Sequence, residues 1–95
     1  MTTNTDKILQ KAVKVWGKDI QIGMFYEEIG ELMVAINKYR RAEFFMEDTD
    51  INPIQEEIAD VLIMIEQLKI IFNTNENRIK LIMKKKIKRM ENLLK

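Results

Sequence analysis

Four acidic residues stand out by type and spacing. Glu28 and Glu31 lie three apart, and so do Glu57 and Asp60. Their surroundings echo each other: Glu27-Glu28-Ile29-Gly30-Glu31-Leu32 aligns with Glu56-Glu57-Ile58-Ala59-Asp60-Val61. In both stretches an apolar residue follows each acid of the pair. On a helix, residues three apart share a face, with Cβ atoms about 5–6 Å apart. Two such pairs on packed helices would gather four carboxylates, which cannot all stay ionised without a compensating cation. The chain has no histidine and no cysteine. Any metal must therefore be held by oxygen, which suits Mg²⁺, Mn²⁺ or Ca²⁺ rather than zinc. The absence of histidine also removes the commonest general base. The same acids could simply solvate outer helical faces, because Glu is a good helix former. Spacing alone leaves both readings open.

The elements that would position these acids are helices. Three glycines and one proline leave few turns. The apolar spacing of Ile8, Leu9, Ala12, Val13 and Trp16 predicts a first helix from about Asp6 to Trp16, capped by Thr5 and stopped near Gly17. A second helix is predicted from about Ile20 to Ala42 or slightly beyond, with Phe25, Ile29, Leu32, Ile36 and Tyr39 as its buried seam. Gly30 inside it costs up to ~1 kcal/mol relative to alanine, and suggests close helix approach. Asn52 and Pro53 read as N-cap and first residue of a third helix running to about Phe72. Its seam is Ile54, Ile58, Val61, Ile65, Leu68 and Phe72, and Leu62, Ile63 and Met64 make it apolar on further faces. Asn73 and Glu76 have capping-box spacing before a fourth helix that runs nearly to the end. The expected architecture is an all-α, four-helix bundle forming one domain over residues 1–95. At about 100° per residue, each acid pair falls at the flank of its helix's seam.

A chain of 95 residues buries a limited share of its surface, and without cysteine no disulfide can reinforce it. Oligomerisation and bound metal remain as routes to stability, so a homodimer or homotetramer is expected. The seven methionines suit an adaptable core. Lysine plus arginine number 16 against 15 acids, giving a net charge of +1. That balance argues against a nucleic-acid binder, although residues 78–89 are strongly basic. No run approaches ~18 apolar residues, and residues 1–7 are polar. A soluble cytoplasmic protein with no membrane partner is expected.

Glu28-x-x-Glu31, followed after 25 residues by Glu57-x-x-Asp60, resembles the signature of the MazG-like all-α nucleoside triphosphate pyrophosphohydrolases. Ala35-Ile36-Asn37-Lys38-Tyr39 and Lys86-x-x-Arg89-Met90 extend the likeness from Trp16 to the C-terminal region. The resemblance implies a MazG-like bundle that cleaves a nucleoside triphosphate substrate to monophosphate and pyrophosphate. It implies that Glu28, Glu31, Glu57 and Asp60 hold Mg²⁺, for which Mn²⁺ can substitute, and that the ion activates water. Glu56 or Glu27 would orient that water, or be merely solvated. Lys86 and Arg89, which share a helical face, would bind phosphate; otherwise they form a solvated basic face. Lys38 and Arg41 are further basic candidates, with dipole compensation as the alternative. Trp16 would stack on the base or pack in the core. Gln21 would hydrogen-bond the nucleotide or stay exposed. Phe44 and Phe45 read as interface or core residues. The contrasting possibility is a non-catalytic bundle that binds nucleic acid or a partner through its basic last helix, Lys84 to Arg89.

Overall fold

A computed structural model describes residues 3–95, and among these every regular element is an α-helix. The first, α1, spans Asn4–Trp16. It starts earlier than expected because Thr3, not Thr5, caps it. The Asp6 N–H donates to Thr3 Oγ1 at 3.0 Å, and the Thr3 N–H donates to the Asp6 carboxylate at 3.1 Å. Thr3 thus has an acidic residue at the position a reciprocal box needs, whereas Thr5 has Ile8 there. These bonds hold the Asp6 carboxyl below the usual range.

Gly17 alone separates α1 from α2, Lys18–Phe44. Its φ of 90° and ψ of 153° lie where only glycine is comfortable. Its N–H closes α1 on the Val13 carbonyl at 2.9 Å, and its carbonyl accepts from Gln21 N–H at 3.1 Å to open α2. One residue therefore does the work of a loop, and α2 begins at Lys18 rather than Ile20.

The helix α3 spans Asn52–Ile71. Asn52 lies inside it instead of capping it. Asp50 accepts the Asn52 N–H at 3.0 Å, and the first helical carbonyl is that of Ile51. Pro53 sits in the first turn, where its missing N–H costs nothing. The last helix, α4, spans Glu76–Leu93, and Asn75 caps it by accepting Arg78 N–H at 2.9 Å. Asn73, the expected cap, adopts φ 49° just beyond α3, a left-handed conformation that asparagine tolerates.

Helices α2 and α3 form an antiparallel hairpin, with Tyr39 and Ala42 near Pro53 and Glu31 near Glu57. Helix α1 packs against both, and its Leu9 and Gln10 line one cavity with Lys69 and Ile70 of α3. Helix α4 packs against none of the other three. Its start is tied by Lys69, whose ammonium bridges Glu66 at 3.3 Å and Glu76 at 3.2 Å. The four helices are thus a three-helix unit with an arm, not a closed bundle within one chain. The radius of gyration, 17.0 Å, agrees; a compact chain of this length has about 12 Å.

The expected seams are only partly buried. Met64 is the only buried hydrophobic residue among those described, at 5% exposure, and Gln21 and Gln67 are the other buried side chains. Within the hairpin, one acid of each pair, Glu28 and Glu57, turns inward, while Glu31 and Asp60 stay exposed. Ile36, Ile58 and Phe72, expected inside, are exposed. So are Tyr26, Met33 and Leu62. By helical angle, Tyr26, Met33, Ile36, Ile58 and Leu62 share one flank of the antiparallel pair. One chain supplies nothing to cover it, because α4 stands away. The methionines likewise do not fill a core here: apart from Met64, those at 24, 33, 46, 83 and 90 are exposed.

Candidate metal centre

The amphipathic pitch of α2 places Glu28 and Glu31 one turn apart, and the hairpin brings Glu57 of α3 opposite them. One carboxylate oxygen from each of Glu28, Glu31 and Glu57 falls within a group no more than 4.8 Å across. Glu28 and Glu57 are half-buried between the helices. The Oε2 atom of each is enclosed and has no hydrogen-bond partner. Burial pushes both carboxyls above the usual carboxylate range, with repulsion from Glu31 and Asp60 adding to it. Among the described residues, the ion pairs lie elsewhere, at Lys69 and at Lys88–Glu91. The group therefore has concentrated negative charge, unsatisfied oxygen lone pairs and no cationic side chain paired with it. Those are the properties of an oxygen donor set for a hard divalent cation.

Asp60, the fourth expected ligand, lies outside the 4.8 Å group and is exposed. It is close enough to raise the Glu28 and Glu57 carboxyls. Glu56 is exposed beside Glu57 and is also outside the group. Glu27 lines a groove of about 650 Å³ next to the carboxylates, together with Gly30, Val34, Ala35 and Pro53. Glu31 and Glu57 form its acidic end, and Lys38 is part of its wall. Lys38 is thus the one basic candidate that the chain itself brings near the acids. The volume lies within the range of about 300–1,000 Å³ typical of ligand pockets.

The other expected contacts are placed differently. Lys86 and Arg89 lie on α4, which meets α3 only through the Lys69–Glu76 ion pair at its start and does not pack against α2. Trp16 is 55% exposed at the end of α1, in an apolar pocket with Ile8, Ala12 and Val15. It is neither in the core nor beside the acids. Phe44 and Phe45 stack edge to face with centroids 5.1 Å apart and remain exposed. Arg41 is exposed near the end of α2.

Gln21 is neither exposed nor open to a ligand: it is 1% exposed, enclosed between the helices. Its Nε2 donates to Met24 Sδ at 3.7 Å, and its Oε1 has no partner. Gln67 matches it from α3, at 5% exposure and with an unpartnered Oε1. Gln67 has no motif of its own in the sequence. The available signal was symmetry: Gln21 precedes Glu28 by one heptad, and Gln67 follows Asp60 by one heptad. The hairpin contact is therefore a polar line of amides and carboxylates whose enclosed oxygens outnumber their donors. No family model, curated protein or solved structure matches the chain.

Proposed function

We propose that this chain is a magnesium-dependent nucleoside triphosphate pyrophosphohydrolase of the MazG-like kind. It converts a (d)NTP and water to the (d)NMP and pyrophosphate. The observation that carries the reading is the convergence of Glu28, Glu31 and Glu57, with two enclosed oxygens lacking any donor. The likeness of the Glu28-to-Asp60 pattern to that family supplies the reaction.

The donor set fits the metal: it is all oxygen, and Mg²⁺ is held by few carboxylates when phosphate and water complete its shell. Glu28, Glu31 and Glu57 would hold Mg²⁺ or Mn²⁺, with Asp60 adding negative charge beside them. Such an ion supplies positive charge to the phosphates and acidifies water. Proton transfer falls to a carboxylate, since the chain has no histidine. Glu56 has the exposure that role needs, and Glu27 faces the groove. The groove takes the nucleotide, its apolar wall of Val34, Ala35 and Pro53 facing the nucleoside and Lys38 giving charge to the phosphates. The exposed flank of Tyr26, Met33, Ile36, Ile58 and Leu62 is covered by a further copy in a homodimer or homotetramer. The cytoplasm is the natural setting for such a substrate.

The test is a panel of common and damaged ribo- and deoxyribonucleoside triphosphates with Mg²⁺. Pyrophosphate rather than orthophosphate is expected from at least one. A full panel that yields none defeats the reading.

A further inference from the structure

Helix α4 spans 18 residues and is tied to the rest of the chain at one end. Lys69 of α3 bridges Glu76 at 3.2 Å, and beyond that first turn α4 packs against no other helix. An isolated helix of this length is marginal in water, so it gains stability from a surface that takes its apolar side. That side is well defined. Ile79, Ile82, Met83, Ile87, Met90 and Leu93 fall within an arc of about 140°. All but half-exposed Ile79 are exposed, up to 75% at Leu93.

The rest of α4 is cationic. From Arg78 to Arg89 there are seven basic residues and no acid. By helical angle, Lys80 and Lys84 border one edge of the apolar stripe, and Arg78 and Arg89 border the other. Lys85 and Lys88 lie behind. The acids of the helix stand toward its ends, Glu76 against Lys69 and Glu91 against Lys88 at 2.8 Å. The other six cations of this stretch are in none of the ion pairs among the described residues.

A partner for this helix must take an apolar strip and present anions along both of its edges. A duplex backbone presents anions but nothing that buries the strip. A second copy of the chain brings a like-charged α4 with it. An anionic lipid surface meets both demands, because charged headgroups lie over an acyl region and a helix of this pattern rests at the boundary with its apolar side down. Lys86, alone inside the stripe, fits as well: its stem lies among apolar neighbours while its ammonium reaches up to the headgroups. Among the described residues no helix is long and apolar enough to cross a membrane. Lying along one is a different demand, met by sidedness rather than length.

We propose that α4 is an arm that binds the surface of an anionic lipid membrane. Its apolar stripe enters the headgroup boundary, and the cations on both edges sit among the anionic headgroups. The Lys69–Glu76 pair at its root holds the three-helix unit beside that surface. The arm needs neither metal nor nucleotide for this, so the proposal does not rest on the catalytic reading.

The full-length chain is mixed with vesicles of phosphatidylcholine alone, or of equal parts phosphatidylcholine and phosphatidylglycerol, and the bound fraction is read by flotation. Binding to the anionic vesicles alone is expected, with its loss in about 1 M NaCl, where charge is screened beyond about 3 Å. Lys84→Glu is expected to weaken binding by at least about fivefold, the worth of one cation at such a surface. Lys7→Glu makes the same charge change on α1, away from the arm, and is expected to cost far less. Entry of the stripe is read with Met90→Trp in a Trp16→Phe chain, since Trp16 is the sole tryptophan. The new indole is expected to shift its emission to shorter wavelength on anionic vesicles. No binding to anionic vesicles overturns the proposal, as do equal binding to both kinds, equal losses in Lys84→Glu and Lys7→Glu, or an unshifted indole. A chain that ignores vesicles and binds duplex nucleic acid with steep salt dependence overturns it in favour of that partner. One that ignores vesicles and forms a larger species, dispersed by Met90→Glu in light scattering, overturns it in favour of a second copy.

Discussion

Adding Mg²⁺ acts directly on the carboxylate group, and its effect on stability can be worked out in advance. The metal-free chain encloses the Oε2 atoms of Glu28 and Glu57 with no donor to satisfy them. A cation that binds the folded chain alone stabilises it by mass action. At a concentration 100-fold above its dissociation constant, that is about 2.7 kcal/mol. For a domain of this size each kcal/mol moves Tm by about 4–8 °C, so a rise of roughly 10–20 °C is expected. Glu57→Gln removes one ligand and one of the repelling charges. Its metal-free Tm should equal or exceed that of wild type, and its Mg²⁺-induced rise should fall by more than half. Circular dichroism at one fixed protein concentration is the assay, because assembly makes Tm concentration-dependent. Chelation with EDTA should return the wild type to its starting Tm. Equal rises in the two proteins, or no rise in wild type, would refute the argument.

The pH dependence has a definite sign. The Glu28 and Glu57 carboxyls sit above their ordinary value of 4.5 in the fold, through burial first and repulsion second. The folded chain therefore binds more protons than the unfolded chain above about pH 4.5, and this part of its stability falls as pH rises toward neutrality. In EDTA, wild-type Tm should drop more than Glu57→Gln between about pH 4.5 and 7; saturating Mg²⁺ should remove the difference in slope. Gly17→Ala should cost about 1–3 kcal/mol, read from urea denaturation, because φ 90° with ψ 153° strains any side chain. An unchanged midpoint would show that the α1–α2 joint is not held in that conformation.

Much of the fold could be read from the sequence because helical periodicity is local. All four helices stand close to where apolar spacing puts them. Their caps were harder to place. Thr3 and Asn75 compete with near neighbours of the same chemistry, and only the hydrogen bonds made decide between them, while Ile51 at the cap of α3 offers no side-chain bond at all. Packing was less legible still. Periodicity shows that Ile36, Ile58 and Phe72 belong to apolar stripes, but not whether a stripe is covered by the same chain or by another. The single chain half-buries Glu28 and Glu57 and leaves those apolar residues exposed. That choice of face also explains the candidate site. Glu28, Glu31 and Glu57 could be paired from the echo between α2 and α3, whereas Asp60 falls to the rim for reasons of side-chain position. Gln67 was hidden because a lone glutamine in an apolar helix has no signature until its burial, shared with Gln21, is known.

The most direct measurement is pyrophosphate release from the nucleoside triphosphate panel by wild type and by Glu57→Gln, side by side, with Mg²⁺ and with EDTA. The account predicts release by wild type with Mg²⁺, none in EDTA, and a loss of at least about 100-fold in the variant, equivalent to about 2.7 kcal/mol of transition-state stabilisation. Release that persists in EDTA, or a Glu57→Gln variant as active as wild type, would contradict it.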